Sequence, residues 1–536
     1  MDQISAYVML LGIIVIVGVA FTKTSIPTSL PLVVVGMFFS FVPNFPRFNL
    51  SPDLVLDVFL PVLIYQASAF TSWRDMKKNI RPIALLSIGH VLFITVLVAI
   101  TIHYFVPELS WPLAFVLGAV VSPPDDVALI SIAEKVHMPQ RIVTILMGEG
   151  MLNDATALIL FRFSLAAVVT HQFSAVAAVG DFFLVVVGET LYGLALGVLM
   201  GELRLRFRDP VLQMTASLVT PFLAYLPATA LGGCGVLATV VTGFVIGHFY
   251  LARFSPEVRL AGRSIWVALG FVLQNILFLL VGLDFRYIYA RISFLSLDTL
   301  SFYGALVVLV VIIGRFIWVY PATYLPRLLF PAIRKKDPLP PWQYPFVISW
   351  SGMRGGISLA AALAIPSLPL LSDGTNPRDL IIFLVFCVII VTLVFQGLAL
   401  PWVLKLLGMP KYGLRERYDE HLQELKARVK INRAVLHWLS EFKRTSKEDS
   451  KLCDEIKFRE LEYKTIRKLL KERIDNHGEI SDHDEEAEMA DAYYITKQLI
   501  EVEREELTRL WRENKISHPV RLKLLQQLDH RSRRLT

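Results

Sequence analysis

The chain has 536 residues, of which 54% are hydrophobic and only 18% are charged. About a quarter of the residues in an ordinary soluble protein are charged, so this composition argues against a soluble globular protein. The charged residues are also unevenly distributed, with about 45 before residue 411 and about 54 after it. We therefore predict a transmembrane domain over residues 1–410 and a charged, helical, cytoplasmic tail over residues 411–536.

The net charge of +7 and the three cysteines exclude further classes of function. Most of the excess basic residues lie in loops between apolar segments, where they set membrane topology, so they do not indicate nucleic-acid binding. Cys234, Cys387 and Cys453 form no closely spaced pair, which argues against a zinc site. The sequence has no phosphate-binding loop, which argues against a nucleotide-driven pump. We expect no enzymatic activity, no catalytic residues and no cofactor.

The apolar segments predict a polytopic membrane protein. A membrane-spanning helix needs about 20 mostly apolar residues. The candidate spans begin near Ile4, Ile26, Pro52, Ile80, Leu109, Gln140, Ala177, Val211, Cys234, Gly262, Leu295, Trp342 and Asp379. We therefore predict an all-α fold with about thirteen transmembrane helices, the first of which is not a cleaved signal peptide.

Basic residues in the short loops predict the orientation in the membrane. Alternate loops contain about 17 lysine and arginine residues on one side of the membrane and about 4 on the other. Because basic loops stay in the cytoplasm, the richer set is predicted to be cytoplasmic. The N-terminus is then outside, the tail is cytoplasmic, and the protein lies among the lipids of the cell (inner or plasma) membrane.

The fifth apolar segment is predicted to be interrupted by the run Ser122-Pro123-Pro124-Asp125-Asp126. Two consecutive prolines remove two backbone N–H donors and prevent a regular helix. Non-helical backbone at membrane depth is tolerated only where protein covers it or where it lines a cavity. The freed carbonyl groups beside Asp125 and Asp126, that of Pro124 included, would form an oxygen-rich site suited to an alkali cation.

The sixth segment supplies Glu149, Asn153 and Asp154. Acidic side chains at membrane depth are energetically costly, so each is a candidate for function. Burial favours the protonated form of a carboxylate, whereas a bound cation favours the ionised form. A buried Asp154 could therefore hold a proton and a cation in turn, which is the basis of antiport. The alternative is a hydrogen-bonded structural acid.

The twelfth segment contains Arg354 among glycines, in the run Trp350–Ser358. A buried arginine needs an anionic partner, and the glycines favour an interrupted or closely packed helix. Segments five and twelve are seven apart and therefore cross the membrane in opposite directions. Transporters built from inverted repeats place interrupted helices at corresponding positions. We predict inverted six-helix repeats over segments 1–6 and 8–13, with helices 5 and 12 interrupted.

Two further arginines and a glycine stripe are interpreted as structural. Arg162 and Arg315 are expected to pack between helices or to donate to carbonyl groups. Gly193, Gly197 and Gly201 recur every four residues, which indicates close contact between helices within one protomer.

The tail is predicted to contain soluble helices over residues 425–439, 453–476, 489–514 and 520–535. The acidic stretch from Gly478 to Glu486 is predicted to be a polar break between them. Two roles stay open for the tail: a solvated helical bundle or dimerisation module, and a regulatory module that senses pH or ions.

Four stretches together resemble the sodium/proton exchanger branch of the monovalent cation:proton antiporter family 1, including its bacterial members with a long cytoplasmic tail. They are Gly118–Pro123, Gly148–Arg162, Phe278–Leu283 and Trp350–Ser358. With the order of the segments, the resemblance covers about the first 410 residues. It implies a homodimer with an elevator-like core movement that exchanges one cation for one proton.

The resemblance also implies roles for individual residues. Asp154 matches the aspartate that exchanges ions and protons, and Asn153 matches its asparagine neighbour. Asp125 matches the aspartate of the unwound fifth helix. Glu149 and Arg354 match a structural ion pair that braces the core domain.

Departures from the family pattern concern the choice of cation. Gln66 stands where many members carry an acid. Pro124 replaces a usual threonine and Gly150 a usual serine, which removes two hydroxyl ligands. Asp126 stands where proline or alanine is common and adds a carboxylate. These changes make potassium an alternative to sodium near Asp154 and leave the stoichiometry open.

We expect electroneutral exchange of Na+ or Li+ for H+ by competition at Asp154, which would serve pH homeostasis. A K+/H+ antiporter of the same fold is an alternative. An antiporter-like channel or sensor is another, although we find no selectivity-filter motif. The predicted ion- and proton-binding residues are Asp154, Asp125, Asn153, Gln66, Asp126 and the backbone of Pro124.

Overall fold

The computed structural model describes residues 3–22, 26–43, 51–106, 109–125, 138–170, 175–292, 296–366, 376–445 and 450–476, with short stretches between and beyond them. These residues form helices and their connections, and none of them is in a strand. The chain divides into two compact units, Met1–Leu414 and Arg415–Thr536. The predicted all-α fold is confirmed.

The helices of the first unit follow one another with short connections. In chain order they are α1 (Gln3–Phe21), α2 (Ser29–Ser40), α3 (Leu54–Phe70), α4 (Trp73–Lys78), α5 (Ile80–Phe105), α6 (Trp111–Val121), α7 (Gln140–Thr170), α8 (Ala175–Arg206), α9 (Pro210–Ala230), α10 (Val236–Arg253), α11 (Pro256–Leu283), α12 (Phe285–Arg291), α13 (Leu297–Leu329), α14 (Pro331–Lys336), α15 (Gln343–Trp350), α16 (Gly356–Leu363) and α17 (Pro377–Leu406). The helices α18 (Met409–Thr445) and α19 (Ser450–Asn476) come after them.

Many of these helices have the dimensions of membrane spans. Within the described residues, 8 helices are long and apolar enough to cross a membrane, namely α5, α7, α8, α9, α10, α11 with α12, α13 and α17. The helices α1, α2, α3 and α6 are apolar but shorter. The polytopic class is confirmed, whereas the count of thirteen spans and the inverted repeats stay predictions.

The glycine stripe of α8 lies against α10, as predicted for a contact within one protomer. A Cβ atom on Gly197 would lie 2.8 Å from Cβ of Val245, and one on Gly201 would lie 2.6 Å from the ring of Tyr250. Gly193 meets the backbone of Ala238 in the same way. The missing side chains therefore let the two helix backbones approach closely.

Several helices contain π-helical turns, among them α5 and α17. The turn in α5 covers Leu85–His90, and the turn in α17 covers Val391–Gln396. Such turns insert one residue into a helix and are frequent at functional sites. Here they place the polar side chains of His90 and Thr392 in the interior, where both are fully buried.

The interruptions predicted for segments five and twelve are confirmed. The helix α6 ends at Val121, and Ser122–Asp125 do not continue it. The other break separates α15 from α16, and its residue Gly355 is extended, with φ −116° and ψ −174°. Prolines cause the first break, and a glycine-rich run permits the second.

In the second unit, α18 and α19 pack through Leu425, Val429, Leu470 and Ile474. The predicted tail helices over 425–439 and 453–476 are confirmed. The predicted helix over 489–514 is described only from residue 501, where residues 501–503 and 505–510 are helical. The acidic break and most of the predicted last helix lie outside the described residues. The boundary after residue 410 and the cytoplasmic position of the tail stay predictions.

Candidate functional site

The two helix breaks lie side by side and satisfy each other's backbone groups. The N–H of Asp125 donates to the carbonyl oxygen of Met353 at 2.7 Å, and Nε of Arg354 donates to the carbonyl oxygen of Val121 at 2.7 Å. The N–H of Arg354 donates to Oγ1 of Thr392 at 3.0 Å. This exchange explains how non-helical backbone is tolerated in the middle of an apolar unit.

The charges at the breaks also complement the helix dipoles. A Cβ atom on Gly355 would lie 2.8 Å from Cβ of Asp125, so the carboxylate adjoins the N-terminus of α16. That end of a helix carries partial positive charge, which stabilises an anion. The guanidinium of Arg354 lies at the C-terminus of α6, where the partial charge is negative. Asp125 of the first break therefore complements the N-terminus of α16, and Arg354 of the second break complements the C-terminus of α6.

A small cavity of about 70 Å³ adjoins the breaks. It is enclosed by α3, α7, α11, α16 and the interrupted backbone after α6. Its volume is sufficient for several water molecules or a partly hydrated alkali cation. Its lining residues are Leu63, Ile64, Ala67, Pro123, Pro124, Asp125, Gly150, Met151, Asp154, Gln274, Leu277, Phe278, Gly355, Ile357 and Ser358.

Asp154 is one of the residues that line this cavity. The residue is 9% exposed, and its carboxylate forms no hydrogen bond with any residue that the structure describes. Leaving a buried carboxylate unpaired is energetically costly. A proton, water or a cation in the cavity must therefore provide its stabilisation.

Asn153 acts on the neighbouring backbone and does not line the cavity. Its Nδ2 donates to the carbonyl oxygen of Pro124 at 2.8 Å, and the residue is fully buried. The hydrogen bond ties α7 to the broken backbone after α6. It thereby fixes the position of Pro124 relative to Asp154.

Gln66, another predicted site residue, is placed differently. Leu63 and Ala67 lie on the face of α3 that lines the cavity, whereas the amide of Gln66 packs against Gly270 of α11, where no side chain intervenes. Gln66 is therefore beside the cavity and does not line it. Asp126 lies outside the described residues.

The predicted partner of Glu149 is corrected by the structure. The Glu149 carboxylate accepts two hydrogen bonds from Arg315, at 2.6 Å from Nη1 and 2.8 Å from Nη2. The planar guanidinium matches the two carboxylate oxygens in this bidentate arrangement. Arg354 instead donates to the carbonyl oxygens of Val121 and Gly352, because its side chain points across the break toward α6.

Arg315 combines two roles, and the sequence analysis predicted only one. Its Nε donates to the carbonyl oxygen of Ile348 at 3.0 Å, so the predicted carbonyl contact is present. The ion pair with Glu149 is the additional role. His90 lies near the pair, with Nδ1 3.9 Å from Oε1 of Glu149. The predicted carbonyl contact of Arg162 is also present, since its Nη1 donates to the carbonyl oxygens of Gly232 and Gly233 in the connection between α9 and α10.

The sequence analysis missed Gln274 and Ser358 as cavity residues. Gln274 belongs to α11 and Ser358 to the first turn of α16. Two signals were available. The amide side chain of Gln274 interrupts the apolar sequence of α11. Ser358 ends the glycine-rich run Trp350–Ser358, in which the sequence predicted only a backbone interruption.

The sequence matches known proteins over the same region. The model of the family described as "Sodium/hydrogen exchanger, transmembrane" matches residues 8–406. The Na(+)/H(+) antiporter ApNhaP of Aphanothece halophytica is 30% identical over 438 residues, which are 80% of this chain and 78% of that protein. The "Sodium, potassium, lithium and rubidium/H(+) antiporter" of Bacillus pumilus is 32% identical over 397 residues, which are 70% of this chain and 57% of that protein.

A solved structure shares the fold. The sodium proton antiporter MjNhaP1 of Methanocaldococcus jannaschii superposes with a TM-score of 0.59 and 18% sequence identity, covering 76% of this chain and 99% of that chain. This similarity supports the architecture of interrupted, polytopic helices. The family model over residues 8–406 and the relative from A. halophytica show that the chain belongs to the sodium/hydrogen exchanger family of multi-pass membrane antiporters.

Proposed function

We propose that the protein exchanges Na+ or Li+ for H+ across the cell membrane, one cation for one proton. The observation that carries this proposal is the Asp154 carboxylate, which lines a small cavity beside two broken helices and has no hydrogen-bond partner among the described residues. A group in this environment binds a proton or a cation, because each neutralises a charge that the protein leaves unpaired.

The neighbouring groups assist by supplying oxygen atoms and by fixing geometry. Asp125 and Pro124 line the same cavity. Hard cations prefer such oxygen ligands. Asn153 holds the Pro124 carbonyl in place through its 2.8 Å hydrogen bond. We assign cation binding to Asp154, Asp125 and Pro124, and positioning to Asn153.

Electroneutral exchange follows from the different surroundings of the two acids. Asp125 adjoins the N-terminus of α16, whose partial charge stabilises an ionised carboxylate throughout the cycle. Asp154 has no such support in the described part of the chain and alternates between its protonated and cation-bound forms. One proton then replaces one cation, and the site carries the same charge in both directions.

Sodium is favoured over potassium. The relative from A. halophytica is named for Na+ and H+, and the one from B. pumilus is named for sodium, lithium, potassium and rubidium. Both names include sodium, whereas potassium occurs in the second alone. The potassium-specific alternative is therefore not favoured.

The orientation and the assembly are parts of the same proposal. The basic loops support an N-terminus outside the cell and a cytoplasmic tail. The resemblance to the exchanger family supports a homodimer. With an inward proton gradient, protons would enter the cell as cations leave it.

A comparison of cations in proteoliposomes tests the proposal. The purified protein is reconstituted, and dissipation of a pH gradient is followed after addition of Na+, Li+ or K+, with and without an imposed membrane potential. We expect saturable responses to Na+ and Li+, a weak response to K+, and rates that the potential does not change. Flux without proton coupling would identify a channel, and rates that follow the potential would contradict one-to-one exchange.

A further inference from the structure

We propose that Gln274 and Ser358 provide oxygen ligands for the transported cation, in place of the hydroxyl groups that this chain lacks at Pro124 and Gly150. This inference rests on the proposed exchange at Asp154. It assigns the selectivity of the cavity to two neutral side chains that come from different helices, α11 and α16.

Both side chains line the Asp154 cavity. In the part of the chain that the structure describes, neither the amide of Gln274 nor the hydroxyl of Ser358 forms a hydrogen bond, although Ser358 is only 4% exposed. A buried polar group that is left unpaired costs about 1–3 kcal/mol. Polar groups at membrane depth are retained mainly where they serve a bound ion or water.

The cavity walls place these groups around the carboxylate. Gly150 lies one turn before Asp154 on α7 and offers no side-chain atom to a ligand. Gln274 comes from α11, and Ser358 comes from the first turn of α16. A cation beside Asp154 would therefore meet oxygen atoms from α7, α11, α16 and the broken backbone after α6.

The chemistry of the two groups separates cation binding from proton binding. Amide and hydroxyl oxygens are neutral, hard ligands that suit an alkali cation. Neither group takes up a proton in the range where a carboxylate titrates. They add cation affinity, leave the proton competition to Asp154, and keep the charge balance of the site unchanged.

The test compares Gln274→Met and Ser358→Ala with the unmodified protein in proteoliposomes. We expect each substitution to raise the KM for Na+ about tenfold, which corresponds to about 1.4 kcal/mol of binding energy. The maximal rate at saturating Na+ should change little, and the preference between Na+ and Li+ should shift. The thermal stabilisation of the purified protein by Na+ should shift to higher concentrations by the same factor.

Matched controls separate ligand loss from general damage. Gln213→Met removes an amide on α9 that donates to the carbonyl oxygen of Phe207 outside the cavity, and Ser264→Ala removes a hydroxyl bonded within α11. Both should keep the KM for Na+. Gln274→Glu retains an oxygen ligand at the same place and should keep the KM within about threefold at alkaline pH.

The outcomes distinguish this inference from the proposed function. Exchange that depends on Asp154, together with an unchanged KM and unchanged Na+ stabilisation in Gln274→Met and Ser358→Ala, overturns the ligand assignment and leaves the function standing. If Gln274→Met does not fold, Ser358→Ala decides in the same way. Absence of coupled exchange in the unmodified protein would reject the function itself.

Discussion

At the scale of single residues, the sequence located the carboxylates but could not assign all their partners. Asp154 was predictable because an acidic side chain in an apolar segment is energetically costly and is therefore a candidate for function. The ion pair between Glu149 and Arg315 was not predictable, because 166 residues separate the two side chains in the sequence. Gln274 was missed because an uncharged amide in a long apolar helix is a weaker signal than a charge.

We expect the Glu149–Arg315 pair to hold α7 and α13 together. Both side chains are almost fully buried, so Arg315→Leu leaves an uncompensated carboxylate and should lower the free energy of unfolding by about 3–5 kcal/mol. Thermal unfolding of purified variants measures this loss. The double variant Glu149→Gln, Arg315→Leu should lose less than the sum of the single variants. Strict additivity for this pair would show that the contact is not energetically coupled.

Competition at Asp154 predicts how sodium binding depends on pH. If one carboxylate binds either a proton or Na+, the apparent KM for Na+ rises about tenfold for each unit by which the pH falls below the titration of the carboxyl group. The maximal rate at saturating Na+ stays the same. Initial rates in proteoliposomes with equal pH on both sides measure this dependence. A KM that is independent of pH, combined with a maximal rate that falls, would indicate a separate proton site.

At the scale of elements, the two breaks show which local features a sequence can predict. Consecutive prolines after Val121 and glycines around Arg354 predict non-helical backbone from elementary sterics. The sequence does not show how the breaks satisfy each other. The 2.7 Å hydrogen bond from Asp125 to Met353 and the buried hydroxyl of Thr392 depend on packing between α6, α15 and α17.

Gly355 tests the fit between the breaks. A Cβ atom at this position would lie 2.8 Å from Cβ of Asp125 and would displace the carboxylate from the cavity. Gly355→Ala should therefore reduce exchange about a hundredfold, since small errors in the placement of a site are costly. Gly188→Ala on α8 is the matched control, because nothing lies within 4 Å of its added methyl group. Equal activity of the two variants would remove Asp125 from the proposed site.

At the scale of the whole apolar unit, basic residues do more than set topology. Arg81 of α5, Arg141 of α7 and Arg327 of α13 each donate to the carboxylate of Asp337 at 2.6 Å. The sequence analysis counted these arginines only as markers of the cytoplasmic side. Asp337 therefore links α5, α7 and α13. Composition and periodicity predicted the class of fold, whereas long-range contacts of this kind require the structure.

The Asp337 contact predicts a dependence of stability on pH. Burial alone would raise the pKa of Asp337, but the hydrogen bond and charge of Arg141, with the charges of Arg327 and Arg81, outweigh it and lower the pKa below 3.8. A lowered pKa in the folded state stabilises the protein above the ordinary pKa, and this stability is lost as the pH falls through the folded value. Asp337→Asn should cost about 2 kcal/mol at neutral pH.

Thermal unfolding at neutral and strongly acidic pH measures this contribution. The difference between the unmodified protein and Asp337→Asn should vanish once Asp337 is protonated in both states. A difference that persists unchanged at acidic pH would show that the carboxylate charge is not responsible. Asp298→Asn, at the exposed first turn of α13, is a control for the loss of an acid.

The central claim is that the unpaired carboxylate of Asp154 carries both the proton and the cation. Na+-dependent dissipation of a pH gradient in proteoliposomes that contain Asp154→Asn tests it most directly, with Asp298→Asn as the control. The account predicts coupled exchange by the control and none by Asp154→Asn, although the thermal stability of the two variants is similar. Coupled exchange by Asp154→Asn at the rate of the unmodified protein would contradict the account.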